Sequence, residues 1–277
     1  SLVKIINDYK LFQIFFLKYS YKKIFLSHEN QPWETICTNT LKMINKKCLI
    51  YYYVHTPIRY WDIRYDSDIY SKMNSISLPN YICFSTNNCL SQYNNLNKNI
   101  ECKLVDALRY KHLSILKFKV PKNSKINKHS FILIGDIVKH STNNLLVLLD
   151  MYAKDIGKKI NIYFKFHNSN IIDTRNFNNI SILNIDRITN NMNYIYLFPN
   201  YTTASIDYFH QEKICLSFLD KSNFNLSPLI KNRNYNYFFY DMHSFKIILN
   251  ILKIHKINKN KHKFIYDKNL YNWKKII

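Results

Sequence analysis

Glycine is nearly missing from this chain of 277 residues, which carries only two, together with six prolines. Lysine, asparagine, isoleucine, tyrosine and phenylalanine are abundant in the same chain, the profile of an A+T-rich coding sequence. That profile discounts the formal charge of +22, since much of the lysine then reflects mutational bias. The basic residues are scattered (Lys10, Lys18, Lys22, Lys23, Lys46, Lys47, Lys122, Lys125, Lys128), with no arginine-rich arm and no zinc-finger spacing. A solvated basic surface is expected rather than a specific nucleic-acid partner.

The six cysteines (Cys37, Cys48, Cys83, Cys89, Cys102, Cys215) form no CxxC pair, which excludes a zinc ribbon and a disulfide scaffold and fits a reducing compartment. No run approaches the ~18 apolar residues that cross a bilayer. Leu11 to Leu17 is interrupted by Gln13 and flanked by lysines. A soluble, cytoplasmic chain is expected, and peripheral association with an anionic membrane through the lysines and the stretch Leu2 to Phe25 is a further expectation. The first residue is Ser1 and no signal peptide precedes the first folded-looking segment, so the chain reads either as processed or, the favoured reading, as a piece of a longer protein.

What is present is an alternation of strand and helix signals. Lys23 to Ser27 is a short apolar run, and Pro32 opens a helical pattern through Trp33, Ile36, Cys37, Thr40, Leu41 and Ile44. Cys48 to Val54 and Leu78 to Ser85 read as strands by their β-branched and aromatic content, with a short helix over Asn88 to Leu96. Pro121 to His129 is polar and aperiodic and reads as a linker, residues 121–130. The pattern then restarts with strands at Phe131 to Ile134, Ile160 to Phe166, Ile180 to Leu183, Tyr194 to Phe198, Lys213 to Phe218 and Tyr237 to Tyr240. Between them lie helices at Asn144 to Ile156 (closed by Gly157), Thr203 to Gln211 and Ser244 to Ile254. The fold class is α/β, two parallel-sheet domains over residues 1–120 and 131–277, the first incomplete.

In open parallel sheets the ligand sits beyond the carboxyl ends of the strands, where strand order reverses. The informative segments are therefore those just after strands. Gly135 permits close backbone approach or a positive φ. Tyr201 to Ser205 joins a strand to a helix, so free N–H groups and the hydroxyls of Thr202, Thr203 and Ser205 suit a phosphate, although a threonine there is equally a plain helix cap. In the first half, Glu29, Asp62 and His55 are candidates, in that order, for a base that takes a proton from a hydroxyl. Arg59 and Arg64 suit a carboxylate, and ordinary ion pairing of Arg64 with Asp62 or Asp66 is the alternative.

Read in chain order, these segments resemble a family of bacterial surface-carbohydrate biosynthesis proteins built like GT-B glycosyltransferases. The resemblance rests on ENQPWE (Glu29 to Glu34), VHTPIRYWDIRY (Val54 to Tyr65), LPNYICFS (Leu78 to Ser85), DALRY (Asp106 to Tyr110), the Gly135 loop, KFH (Lys165 to His167), YTTASIDYF (Tyr201 to Phe209) and NLSPL (Asn225 to Leu229). It implies two Rossmann-like domains, the acceptor held mainly by the first and the nucleotide-sugar donor by residues 130–254, in a chain that is the carboxyl part of the enzyme. It also implies that Lys165 and His167 match the lysine and histidine of transferases that use CMP-activated sugars, with Asn168 in place of the family's proline, and that Ser227 lies at the rim of the donor pocket. The implied activity is metal-independent transfer of a sugar, with CMP-linked acidic sugars favoured, to a lipopolysaccharide, O-antigen or capsule acceptor. No cofactor is expected beyond the nucleotide sugar as substrate, and the partner is a glycan or glycolipid. The alternatives are a basic nucleic-acid-binding protein that stacks bases on its tyrosines, and an inactive fragment of a glycosyltransferase.

Overall fold

The computed structural model describes residues 2–29, 31–59, 63–94, 96–114, 129–170, 172–185, 194–211, 213–229, 236–254 and 269–277. The linker read at 121–130 falls almost wholly outside them, as does Asp62. The described residues form two compact units, one from residues up to 58, 63–114 and 269–277, the other from Arg59 and residues 129–254. Among the described residues no helix is long and apolar enough to cross a membrane.

The first unit starts with α1 (Leu2–Lys18), then β1 (Lys23–Ser27), α2 (Pro32–Ile44), β2 (Leu49–Tyr53), α3 (Ser67–Lys72), β3 (Tyr81–Phe84), α4 (Asn87–Tyr93) and β4 (Glu101–Leu104). Its four strands are all parallel in the order β1-β2-β3-β4. Pro32 at the first turn supplies a preset φ and needs no N–H partner, which is why α2 starts there. The two inner strands, β2 and β3, are buried on both faces, as central strands of a parallel sheet are, while the edge strands β1 and β4 are partly exposed. Ile50, Tyr52 and Ile82 pack with Cys37 and Leu41 of α2 and with Phe16 of α1, while Tyr51 and Cys83 face the other way with Val105.

The second unit holds β5 (Ser130–Ile134), α5 (Lys139–Asp155), β6 (Ile160–Lys165), β7 (Ile180–Asn184), β8 (Ile195–Pro199), α6 (Ala204–His210), β9 (Ile214–Phe218), β10 (Asn236–Phe239) and α7 (Met242–Ile254). Its six strands are parallel in the order β10-β9-β8-β5-β6-β7. From β5 the chain moves outward to β6 and β7, then returns to the far side of β5 at β8, so strand order reverses between β5 and β8. Leu145, Leu146 and Leu149 of α5 and Phe245 and Leu249 of α7 seal one core with Phe131, Leu133, Ile162 and Leu197. α5 ends as its sequence suggests, with Gly157 at φ +62 and the Lys158 amide bonded back to the Ala153 carbonyl. It begins five residues earlier than the periodicity indicated, because Thr142 Oγ1 accepts the Asp136 amide and folds the polar stretch Lys139 to Asn143 into the first turn.

The carboxyl-terminal segment departs from the division at 131–277. Its helix α8 (Tyr271–Lys274) packs on the four-stranded sheet, Trp273 lying among Tyr51, Cys83 and Val105. The buried Asp106 carboxylate accepts the Asn272 amide at 2.9 Å, and its carbonyl accepts the Trp273 indole N–H at 2.8 Å. Lys23 Nζ donates to the carbonyls of Ile276 and Ile277, each at 2.9 Å. Apolar burial and these bonds make residues 269–277 part of the first unit.

Candidate functional site

In the second unit, the reversal of strand order brings the end of β5 beside the end of β8. Gly135 follows β5 and donates its amide to the Lys165 carbonyl at 2.8 Å, which draws the end of β6 against it. A Cβ on residue 135 would lie 3.0 Å from the His167 amide nitrogen, so the loops meet only because residue 135 has no side chain. Thr202, after β8, aims its hydroxyl at the Gly135 carbonyl at 3.5 Å. Three segments far apart in sequence, around Gly135, Lys165 to His167 and Tyr201 to Thr203, therefore converge on one edge.

Asp136 holds this edge together. Its buried carboxylate accepts the Val138 amide at 3.1 Å and the Tyr201 amide at 2.7 Å, tying the loop after β5 to the loop after β8. Burial raises its pKa, and those hydrogen bonds offset part of the rise. On the other side Asn170 donates its side-chain amide to the carbonyls of Asp136 (3.0 Å) and Ile137. The turn after His167 thus has a fastening of its own.

His167 Nδ1 accepts the Ser169 amide at 3.2 Å, so in the neutral ring the proton sits on Nε2, which is then a donor. Lys165, two residues before it, and Lys139 and His140, at the start of α5, are exposed, the His140 ring meeting the Asn144 side-chain amide at 2.9 Å. Val138, the residue before α5, has no side-chain oxygen with which to cap that helix. A basic rim, an imidazole donor and an uncapped seventeen-residue helix form an edge that can accept an anion. Thr203 makes no side-chain cap for α6, which is only seven residues long. Ser205 and Ser227 are buried and engaged internally, Ser205 Oγ donating to the Thr202 carbonyl at 2.7 Å and Ser227 Oγ accepting the Leu229 amide at 3.3 Å.

In the first unit, Glu29 and His55 follow the neighbouring strands β1 and β2 and meet at 2.8 Å between Glu29 Oε1 and His55 Nε2. A carboxylate on Nε2 fixes the proton there, leaving the His55 Nδ1 lone pair as the acceptor. That Nδ1 is buried and makes no hydrogen bond. The Glu29 amide is held at 2.8 Å by Oε1 of the buried Glu34. Beneath this pair lies a cavity of about 80 Å³ lined by His28, Glu34, Tyr52, Arg64, Tyr70 and Ser77, in which His28 Nε2 meets the Tyr70 hydroxyl at 2.7 Å. Burial pushes the Tyr52 and Tyr70 phenols up, so both remain protonated.

Arg64 donates to Thr56 Oγ1 at 3.1 Å and stacks on Tyr65. Arg59 groups with the second unit, where it donates to the Tyr201 carbonyl at 3.5 Å. Asp66-Ser67-Asp68 has the spacing of a metal-binding Asp-x-Asp motif, but the Asp66 carboxylate caps α3, accepting the amides of Asp68 (2.9 Å) and Ile69 (3.1 Å). A larger open cleft of about 520 Å³ lies at the amino ends of β3 and β4, lined by Asn80, Tyr81, Lys98 and Glu101. It is at the opposite end of the four-stranded sheet from Glu29 and His55, which follow the carboxyl ends of β1 and β2, and parallel sheets bind at their carboxyl ends.

No protein-family model matches the chain, and no curated protein matches it.

Three residues that the sequence reading passed over prove central to the geometry of the site. Asp136 directly follows the glycine of its loop, and His28 and Glu34 flank Glu29 in the segment after β1. Asp136 was the most legible of them, as a lone acid directly after a strand and a glycine.

Proposed function

We propose that this protein is a glycosyltransferase of the GT-B kind, which moves a sugar from a nucleotide-activated donor to a surface glycan such as lipopolysaccharide, O-antigen or capsule. The observation that carries this reading is the reversal of strand order between β5 and β8, with Gly135, His167 and Thr202 converging beside it. Such a reversal is where parallel sheets bind nucleotides.

In this reading the second unit holds the donor. Lys165 and the Nε2–H of His167 lie against its phosphate, and the uncapped start of α5 faces the charge that develops as the sugar leaves. In the first unit His55 is the candidate base for the acceptor hydroxyl, and Glu29, on its Nε2, is the residue that positions the ring. The acceptor oxygen forms a bond to the anomeric carbon as the bond from that carbon to the phosphate oxygen breaks. The nucleotide departs with the electron pair. A CMP-linked acidic sugar is the favoured donor, on the strength of Lys165 and His167.

The test is thermal stability of the purified chain with CMP, CDP, UDP and GDP at moderate salt. A ligand that binds only the folded state at about 100 times its Kd adds about 2.7 kcal/mol. A rise with one nucleotide that is lost in His167→Ala supports the reading. No rise with any of them, together with salt-sensitive binding to DNA or RNA, replaces it with nucleic-acid binding.

A further inference from the structure

Eleven of the seventeen residues of α1 are apolar or aromatic, yet only one side of the helix is covered. Phe16 is buried and Phe12 is partly buried against α2 and the four-stranded sheet. On the opposite side Val3, Ile6, Lys10, Ile14 and Leu17 follow the three- and four-residue spacing of one helical face. Val3, Ile14 and Leu17 are 67%, 66% and 68% exposed, and Leu11 beside them is 65% exposed. A soluble domain seldom leaves so many large apolar side chains of one helix in water.

The charges around that face have one sign. Lys4, Lys10 and Lys18 are exposed on or beside it, while Asp8, the helix's single acid, is half-buried on the covered side. Lys22, directly before β1, and Lys46 and Lys47, in the turn before β2, are also exposed. The Leu49 amide bonds the Lys22 carbonyl at 2.9 Å, so these lysines cluster at one end of the sheet. Lysine stems lie along apolar surface and carry their ammonium groups to its edge.

We propose that the outward face of α1, with Lys22, Lys46 and Lys47, is a docking surface for a bilayer rich in anionic phospholipid. The apolar side chains enter the boundary between headgroups and acyl chains, and the lysines meet the headgroup phosphates. This inference is independent of the transferase reading, because it uses no residue of the candidate site.

The experiment is flotation of the whole chain with phosphatidylcholine vesicles, with and without phosphatidylglycerol, for the wild type, for Ile14→Glu with Leu17→Glu, and for Lys10→Gln with Lys18→Gln. The wild type is expected to float only with the anionic vesicles. The double glutamate variant is expected to lose flotation with an unchanged melting temperature. Each lysine replaced should weaken partitioning about fivefold at low salt. Wild type that floats with neither vesicle overturns the proposal, as does flotation indifferent to the substitutions. Concentration-dependent dimers abolished by the glutamates assign the face to a second copy of the chain, and a lowered melting temperature in the glutamate variant assigns it to the chain's own packing. Either result overturns the proposal.

Discussion

The amide nitrogen of His167 lies 3.0 Å from the point a Cβ would occupy on Gly135, with Phe164 Cε2 at 3.2 Å and the Lys165 carbonyl oxygen at 3.3 Å. Two of those three neighbours are backbone and cannot rotate aside. Gly135→Ala should therefore destabilise the protein by about 1–3 kcal/mol, the usual range for an overpacked site. Urea unfolding measures this, and an unchanged midpoint would show that the loops have room to part.

His55 and Glu29 separate by their chemistry. His55→Ala removes the proton acceptor and should lower kcat by about 10²–10⁴ with any nucleotide sugar that the protein turns over. Glu29→Gln still offers an oxygen to the ring and should cost less. Equal losses in the two variants would move the base back to Glu29.

Trp273 reports on the carboxyl-terminal segment. It is buried with Tyr51, Cys83 and Val105, and Trp273→Ala should cost about 3–5 kcal/mol, the range for a large aromatic removed from a core. The sequence reading had assigned this segment to the second domain. Its contacts lie more than 160 residues away in the chain, as in the Asp106 to Asn272 bond, and no local periodicity encodes them.

The same distinction runs through the rest of the fold. Parallel strands such as Ile195–Pro199 are buried along their whole length, so they stand out as apolar runs, and the α/β class was legible from them. α1 lies in the stretch Leu2 to Phe25, which the sequence marks only as a candidate for membrane contact. At the candidate site, the places after the strands could be located in advance, and Gly135 and His167 were found that way. The pairing of Glu29 with His55 and the bond from Tyr201 to Asp136 needed the strand order, which composition does not specify.

Asp241 gives a pH signature. Its carboxylate accepts the Ser244 amide at 2.8 Å and the Ser244 hydroxyl, and these bonds hold its pKa down at about 2. A pKa lowered on folding contributes stability that is present above the ordinary carboxylate value of about 4 and lost as pH falls toward the folded value. Asp241→Asn should flatten the acid limb of the melting temperature between those values. An identical acid limb in the variant would exclude Asp241 as a contributor.

The thiols should be quiet. Burial pushes Cys37 and Cys83 up to about 12 and raises Cys215 as well, so the reactive thiolate is scarce at neutral pH. An aromatic disulfide reagent should label the native protein slowly at these positions and all six cysteines after unfolding. Rapid native labelling of Cys83 would show that the first unit opens readily.

The central claim is that a donor nucleotide binds where strand order reverses in the second unit. Hydrogen exchange read by mass spectrometry, with and without the nucleotide that raises thermal stability most, tests it directly. Slowed exchange confined to the peptides around Gly135 to Thr142, Lys165 to Asn170 and Asn200 to Ser205 is the predicted result. Protection elsewhere, as at the amino ends of β3 and β4, or no protection at all, would contradict it.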